Sequence, residues 1–414
     1  MKKNQAEKKL PDVYYFNPTC EYAVANGNKS WQPNRLLQKM EEDLCLLPQY
    51  LAQPEDFILV KKMPDEKFLN SLRSVGIQVP ELVLLPDVLT DKNFLNRPKN
   101  KLLPWGWSPA VHHLLDPLKN SCSTDFKHSP VASWKNQQRE LYSKKFALKI
   151  LKQVLRELNS EVLLPQHLIA GVCKSRSDFE RLLSRWGKIM IKAPWSSSGR
   201  GLQPVTKTPV HPKVWEKLMG IVNEQGYAVT EPLLNKKLDM AFQFEMLKGK
   251  VTFKGTSYFQ TDSKGQYQKN FLNGLPKFLA EETGTFARKA NELIIPSLIN
   301  NIEKSELAKN YEGYFGVDTL IFSDEKNKLR INPCLEINVR QNMGLLSLKL
   351  ALLTDSTKKG YFSIRYQPGQ SFQTFAEEMQ KVYPLRLNRN KIESGFLALT
   401  PATENALFGA YLLF

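Results

Sequence analysis

Two apolar runs, residues 314–322 and 329–339, are separated by the short charged stretch 323–328. Apolar runs of this length on either side of a polar turn read as a β-hairpin. Each carries an acid among aliphatic neighbours: Asp318 near Val317, Leu320 and Ile321, and Glu336 between Leu335 and Ile337. Side chains alternate between faces along a strand, so Glu336 and Asn338 share one face. If the runs pair through the turn, Asp318 lies roughly opposite Glu336, and two carboxylates converge with an amide oxygen. A solvent-facing polar stripe would give the same alternation. The apolar setting of both acids favours a function, and hard oxygen donors of this kind suit Mg²⁺, which in turn binds ATP phosphates.

The rest of the chain alternates too. Apolar runs at 13–16, 57–60 and 83–85 are interleaved with amphipathic stretches at 36–47 and 65–75. That pattern argues for an α/β layer with a mostly parallel sheet. A helix is expected from 137 to 158, because Phe146, Ile150, Leu151, Val154 and Leu158 recur at helical spacing. Strands are expected at 188–192, 228–234, 240–247 and 250–259, and short apolar runs at 395–414 suit the completion of a sheet. Residues 1–10 read as a disordered polar tail.

Composition narrows the function. Lys and Arg number 58 against 41 Asp and Glu, a formal charge of +17 that favours anionic partners. Five scattered cysteines without a CxxC pair argue against a disulfide scaffold or a Cys-based zinc site. No run of about 18 apolar residues occurs, and no apolar segment follows the basic start MKKNQAEKK. A cytoplasmic protein without membrane or nucleic-acid partners is therefore expected, since no nucleic-acid-binding signature is present either.

Residues 193–201 (APWSSSGRG) follow the strand-like KIMIK, which carries Lys188 and Lys192. A loop of small residues can bring backbone N–H groups close to phosphate oxygens. Ser196, Ser197 and Ser198 add hydroxyl donors, and Arg200 adds a cation. Ser/Gly loops are also common turns, and no GxxxxGK[ST] is present, so the P-loop rule does not apply.

These features have an order: a helical lysine, a strand lysine with a Ser/Gly loop, a strand ending in Glu231, then Asp318 and Glu336-x-Asn338. That order resembles the ATP-grasp enzymes, among them D-alanine–D-alanine ligase, glutathione synthetase and the ribosomal-protein glutamate ligases. The resemblance covers about residues 140–355. It implies an α/β protein with an N-terminal α/β domain (11–136) followed by a two-lobed ATP-grasp fold. The first lobe would take 137–225 and the second, with the metal site, 226–370. A C-terminal segment, 371–414, would pack on the core.

By position in that family, Lys192 and either Lys144 or Lys145 contact the nucleotide phosphates. Ser197, Ser198 and Gly199 match the phosphate-covering loop. Glu231 matches the hinge residue beside adenine, and Asp239 stands near the ribose-binding acid, where Glu is more usual. Asp318, Glu336 and Asn338 match the Mg²⁺ ligands, and Arg340 is a candidate for the substrate carboxylate or the acyl phosphate. Asn17, Glu21 and Asn26 sit where the first domain of the family helps bind the acceptor. Some ligases carry an arginine two residues before the aspartate, a position held here by Gly316. Stabilisation of the tetrahedral intermediate is then expected from Arg340, Arg200 or Lys254.

The activity implied is ATP-dependent ligation. A carboxylate is phosphorylated, and an amine attacks the acyl phosphate to give amide, ADP and phosphate. ATP and Mg²⁺ are the cofactors implied, with small-molecule or peptide carboxylates and amines as substrates, and many members of the family form homo-oligomers. Two alternatives stand beside it: a kinase of the same fold acting on a hydroxyl, and a non-catalytic basic scaffold that binds nucleotide or nucleic acid. Cys20, Trp105 and Trp107 read most simply as core residues.

Overall fold

The structure, a computed structural model, describes residues 9–196, 199 and 201–414. Most of the polar tail, together with Ser197, Ser198 and Arg200, lies outside the described residues.

Four short strands come first: β1 (Val13–Tyr15), β2 (Phe57–Val60), β3 (Glu81–Leu84) and β4 (Leu102–Pro104). They form a parallel sheet in the order β3-β2-β1-β4. β1 and β2 are buried at every position, as strands covered on both faces must be. Helix α1 (Cys20–Asn26) follows β1, and Gly27 closes it in a left-handed conformation.

The helix expected over 137–158 is broken. Asn136–Tyr142 form a 3-10 turn, and Ser143 then caps α2 (Lys144–Leu158), accepting from the Phe146 N–H at 3.2 Å. A serine at this position competes with helix continuation and starts a new helix instead. The break sets Lys144 in the first turn of α2.

A small antiparallel sheet follows. Its strands are β5 (Gly171–Cys173), β6 (Ile189–Lys192), β7 (Leu202–Val205) and β8 (Ala228–Pro232), in the order β5-β8-β6-β7. Chain position grouped 228–232 with the following lobe, but β8 is hydrogen-bonded to β6.

The large sheet has eight antiparallel strands. They are β9 (Asn235–Leu247), β10 (Lys250–Thr261), β11 (Tyr267–Leu272), β12 (Gly313–Ser323), β13 (Leu329–Asn338) and β14 (Gly360–Tyr366), joined, after a separate hairpin of β15 (Arg386–Asn388) and β16 (Lys391–Ser394), by β17 (Phe396–Ala398) and β18 (Phe408–Leu413). The order is β13-β12-β9-β10-β11-β14-β18-β17. Lys248 and Gly249, both at positive φ, turn β9 into β10. Helix α3 (Glu281–Glu303) packs with α2 on the face that carries Phe242, Phe244 and Val317. Helix α4 (Met343–Ala351) packs on β10 and β11. It lies so close that a Cβ at Gly255 would come within 2.8 Å of Leu348. Among the described residues, no helix is long and apolar enough to cross a membrane.

Candidate functional site

The register of β12 and β13 sets Asp318 opposite Glu336 and Gly316 opposite Asn338. β9 extends both rows, with Ala241 beside Asp318 and Gln243 beside Gly316. Directly opposed residues share a face, so one side of the sheet carries the two acids, both amides and two small residues.

Two lysines from other elements reach this row or stand beside it. Lys144, buried at the start of α2, donates to Glu336 Oε1 at 3.0 Å and to the Ser196 carbonyl at 3.0 Å. Its own N–H donates to the Pro194 carbonyl at 3.0 Å, tying the helix to the 193–201 loop. Lys192, at the end of β6, meets Glu231 at 2.6 Å. Glu231 faces Met190 across the ladder and is thus a same-face diagonal neighbour of Lys192. Removing one partner of a buried pair leaves the other charge uncompensated, at a cost of roughly 3–5 kcal/mol.

Lys145 is not part of the cluster. One residue along a helix turns the side chain by about 100°, and Lys145 points outward, 3.7 Å from Glu140. Lys254 is also elsewhere. It sits at a β10 bulge and pairs with Glu245 at 2.7 Å. Glu245 is four residues from Ala241, about 13 Å along the strand at roughly 3.3 Å per residue. Gly199 is at φ +72°, and a Cβ there would lie 2.7 Å from the Gly265 carbonyl oxygen, so Gly199 rests against the β10–β11 turn. The assignments to Ser197, Ser198 and Arg200 lie outside the described residues.

The electrostatics follow from burial. Burial pushes the Asp318 carboxyl up to about 7; the charge of Glu336 adds to the rise, and a hydrogen bond from Asn338 opposes it. Burial acts on Glu336 in the same direction, but Lys144 and Lys192 outweigh it and hold that carboxyl below its ordinary range. Burial raises Glu231 as well, against Lys192. One negative charge, on Glu336, is therefore favoured over two on the pair.

Arg340 is held three ways. It donates from Nε to Glu21 Oε1 at 3.1 Å, from Nη2 to Asn338 Oδ1 at 3.0 Å, and from Nη1 to the Gln341 carbonyl at 3.2 Å. Asp239 accepts from the Thr261 hydroxyl at 2.8 Å and pairs with Lys236 at 2.7 Å. Among the described residues, no three His, Cys, Asp or Glu side chains converge as metal ligands. The oxygen-only set of Asp318, Glu336 and Asn338 nevertheless fits Mg²⁺, because each carboxylate keeps free lone pairs and Asn338 Oδ1 keeps one beside Arg340. Asn17 instead exchanges hydrogen bonds with the Gly106 backbone, and Asn26 accepts from the Asn28 N–H. Cys20 is buried, and burial raises its thiol far above the ordinary value.

Two hollows flank the Lys144–Glu336 contact. One is a narrow apolar slot between Leu148, Leu168, Val229 and Leu335, with Lys144, Lys192 and Glu231 on its wall. The other is a cavity of about 200 Å³, reached by Asp318, Glu336 and Arg340 and walled by Phe16, Tyr22, Trp105, Phe259 and Tyr267.

The sequence reading missed Gln243 and Asn342, which also line this cavity. Both are buried, and among the described residues Gln243 Oε1 and Asn342 Nδ2 have no partner. A buried polar atom left unpaired costs about 1–3 kcal/mol. Asn342 caps α4, accepting from the Leu345 N–H at 3.0 Å; an asparagine just before an apolar helix is the signal that could have found it. Gln243 shares the strand face of Asp239, two residues apart at each step through Ala241. The pair also accounts for Gly316. A Cβ there would stand 2.8 Å from Asn342 Nδ2 and 3.0 Å from Gln243 Oε1, so the space an arginine would need is already filled.

No protein-family model and no curated protein matches the chain. Among solved structures, the chain is similar to biotin carboxylase from Campylobacter jejuni in its β-γ-ATP complex. The TM-score is 0.52 at 12% identity, over 98% of this chain and 87% of that one. It is also similar to N5-carboxyaminoimidazole synthetase from Staphylococcus aureus complexed with ADP, with a TM-score of 0.47 at 14% identity over 98% and 94% of the two chains. The likeness is one of fold: this α/β chain has the ATP-grasp fold that biotin carboxylase shares.

Proposed function

We propose that the protein is an ATP-dependent ligase that activates a carboxylate as an acyl phosphate and joins it to an amine. The observation that carries this reading is the meeting of Lys144 with Glu336, beside the Lys192–Glu231 pair. Buried ionisable groups are costly, and clusters of them in a cleft are characteristic of functional sites. The fold shared with an enzyme crystallised with β-γ-ATP supports a nucleotide as the ligand.

In this reading the apolar slot receives the adenine, with Glu231 at its edge, and Asp239 serves the ribose. Lys144 and Lys192 offset phosphate charge from two sides. Gly199 and its loop, with Ser197 and Ser198, cover the phosphates and keep water out, which matters because an acyl phosphate hydrolyses. Asp318, Glu336 and Asn338 would hold Mg²⁺, whose charge offsets that of the transferred phosphoryl group. Arg340 orients the carboxylate. The amine attacks the acyl carbon; the C–N bond forms as the C–O bond to phosphate breaks, and the amine gives up a proton. Residues 11–136 act as a separate N-terminal unit that supplies one wall of the acceptor cavity through Phe16, Tyr22 and Trp105.

Calorimetric titration with ATP tests the reading. Wild type is expected to bind only with Mg²⁺, and Lys192→Ala to bind at least a hundredfold more weakly. No binding by folded wild type would overturn the proposal. ADP formation that depends on a hydroxyl acceptor, with none on amines, would replace it with a kinase.

A further inference from the structure

We infer that the cavity beside Asp318 and Glu336 is a subsite for an uncharged group that both donates and accepts a hydrogen bond, such as a carboxamide, held between Gln243 Oε1 and Asn342 Nδ2. This assignment rests on the ligase reading and names the class of acceptor it would take.

The two amides are fixed at their other ends. Gln243 Nε2 donates to the Ser257 hydroxyl at 3.1 Å, and Asn342 Oδ1 caps α4. Asn342 cannot turn round without losing its cap, because an NH₂ group cannot accept from the Leu345 N–H. Gly344 allows this packing: a Cβ there would lie 2.4 Å from both Gln243 Nε2 and the Ser257 hydroxyl oxygen. What remains is one acceptor, Gln243 Oε1, and one donor, Asn342 Nδ2, on residues 1% and 7% exposed. Both atoms lie above the same glycine, Gly316, and their residues line the same cavity as the acids.

Apart from the residues assigned to the phosphoryl group, the described lining of the cavity carries no charge for a second anion or a cation. Among the described residues, its charged lining is Asp318, Glu336 and Arg340, all on the row that would handle the phosphoryl group. Arg340 is already engaged by Glu21 and Asn338. The remaining wall is aromatic, aliphatic, amide or hydroxyl, with Thr19, Ser257 and Thr261 supplying the hydroxyls. The net charge of +17 therefore does not reach this pocket, and a flat neutral group bearing an amide is the complementary ligand.

Ligand-observed NMR with benzamide and benzoate tests this directly, in parallel with an MgATP titration of the same protein. Benzamide is expected to bind wild type at least tenfold more tightly than benzoate. Gln243→Met and Asn342→Ser should each weaken benzamide at least tenfold. Serine keeps the helix cap, so Asn342→Ser decides the matter if Gln243→Met does not fold. No benzamide binding, a preference for benzoate, or unchanged affinity in folded Asn342→Ser would overturn the inference. Failure of MgATP to bind overturns the ligase reading instead, whatever benzamide does.

Discussion

The two sides of the Asp318–Glu336 row are built on opposite terms. Toward the apolar slot, charges meet countercharges: Lys144 with Glu336, and Lys192 with Glu231. Toward the aromatic cavity, beyond Asp318, Glu336 and Arg340, the polar groups are neutral, and two of their buried atoms have no partner among the described residues. Paired buried charges seldom add stability over apolar packing. Their presence makes sense where a polyanion is to be handled. Open neutral amides make sense where a partner must be told apart by hydrogen-bond pattern, since a missing partner is what such a site rejects most strongly. In the proposed reading, one side would serve a chemistry common to many enzymes and the other would serve selection.

The contrast breaks most easily at Gly316. Gly316→Arg should drive a side chain into Gln243 and Asn342 and lower stability by about 3 kcal/mol; urea unfolding checks this, and a fully stable variant would mean that the amides are not fixed. A smaller effect is expected at Asp318. Its folded value lies well above the ordinary 3.8, so the folded state holds the proton more tightly than the unfolded one. Its contribution is therefore full at low pH and lost as pH rises toward about 7. Asp318→Asn escapes that loss. Without nucleotide, its stability relative to wild type should grow between pH 5 and pH 8, by on the order of 1–2 kcal/mol, measured by thermal unfolding. A gap that stays flat with pH would show that the acid is not held by its buried setting. The smallest effects belong to Lys145→Ala and Lys254→Ala. Both side chains pair at the surface, so each should change stability by less than about 0.5 kcal/mol and ADP formation by less than about twofold. A large loss of turnover in either would move the boundary of the site.

The charged side was largely legible in the sequence. Strand alternation alone set Glu336 beside Asn338, and the polar turn set Asp318 across from them. Lys144 could not be told from Lys145 until Ser143 was seen to start the helix, because a change of one residue in that start redirects every side chain after it. Lys254 sits at a bulge and pairs with Glu245, and neither announces itself in the local sequence. The neutral side was nearly invisible. Asn342, within QNMGLL, could be read as a helix cap but not as a cavity residue, and Gln243, within AFQFEML, carries no signature until the fold brings the two amides over one glycine. Strands β5, β7, β11 and β14 were missed as well: they are short or polar and draw their order from neighbours rather than from their own pattern.

Arg340 joins the first part of the chain to the last strand of the row, with Glu21 on one end and Asn338 on the other. Around it the fit is tight: a Cβ on Gly106 would lie 2.3 Å from Cys20 Sγ and 3.1 Å from Arg340 Cβ. Such a joint makes the N-terminal unit a poor cassette. A chimera that imported another such unit without an acid at position 21 would leave a buried guanidinium uncompensated, and Arg340 would be free to pull on Asn338. A working exchange of this unit would therefore have to carry an acid at position 21 to meet Arg340.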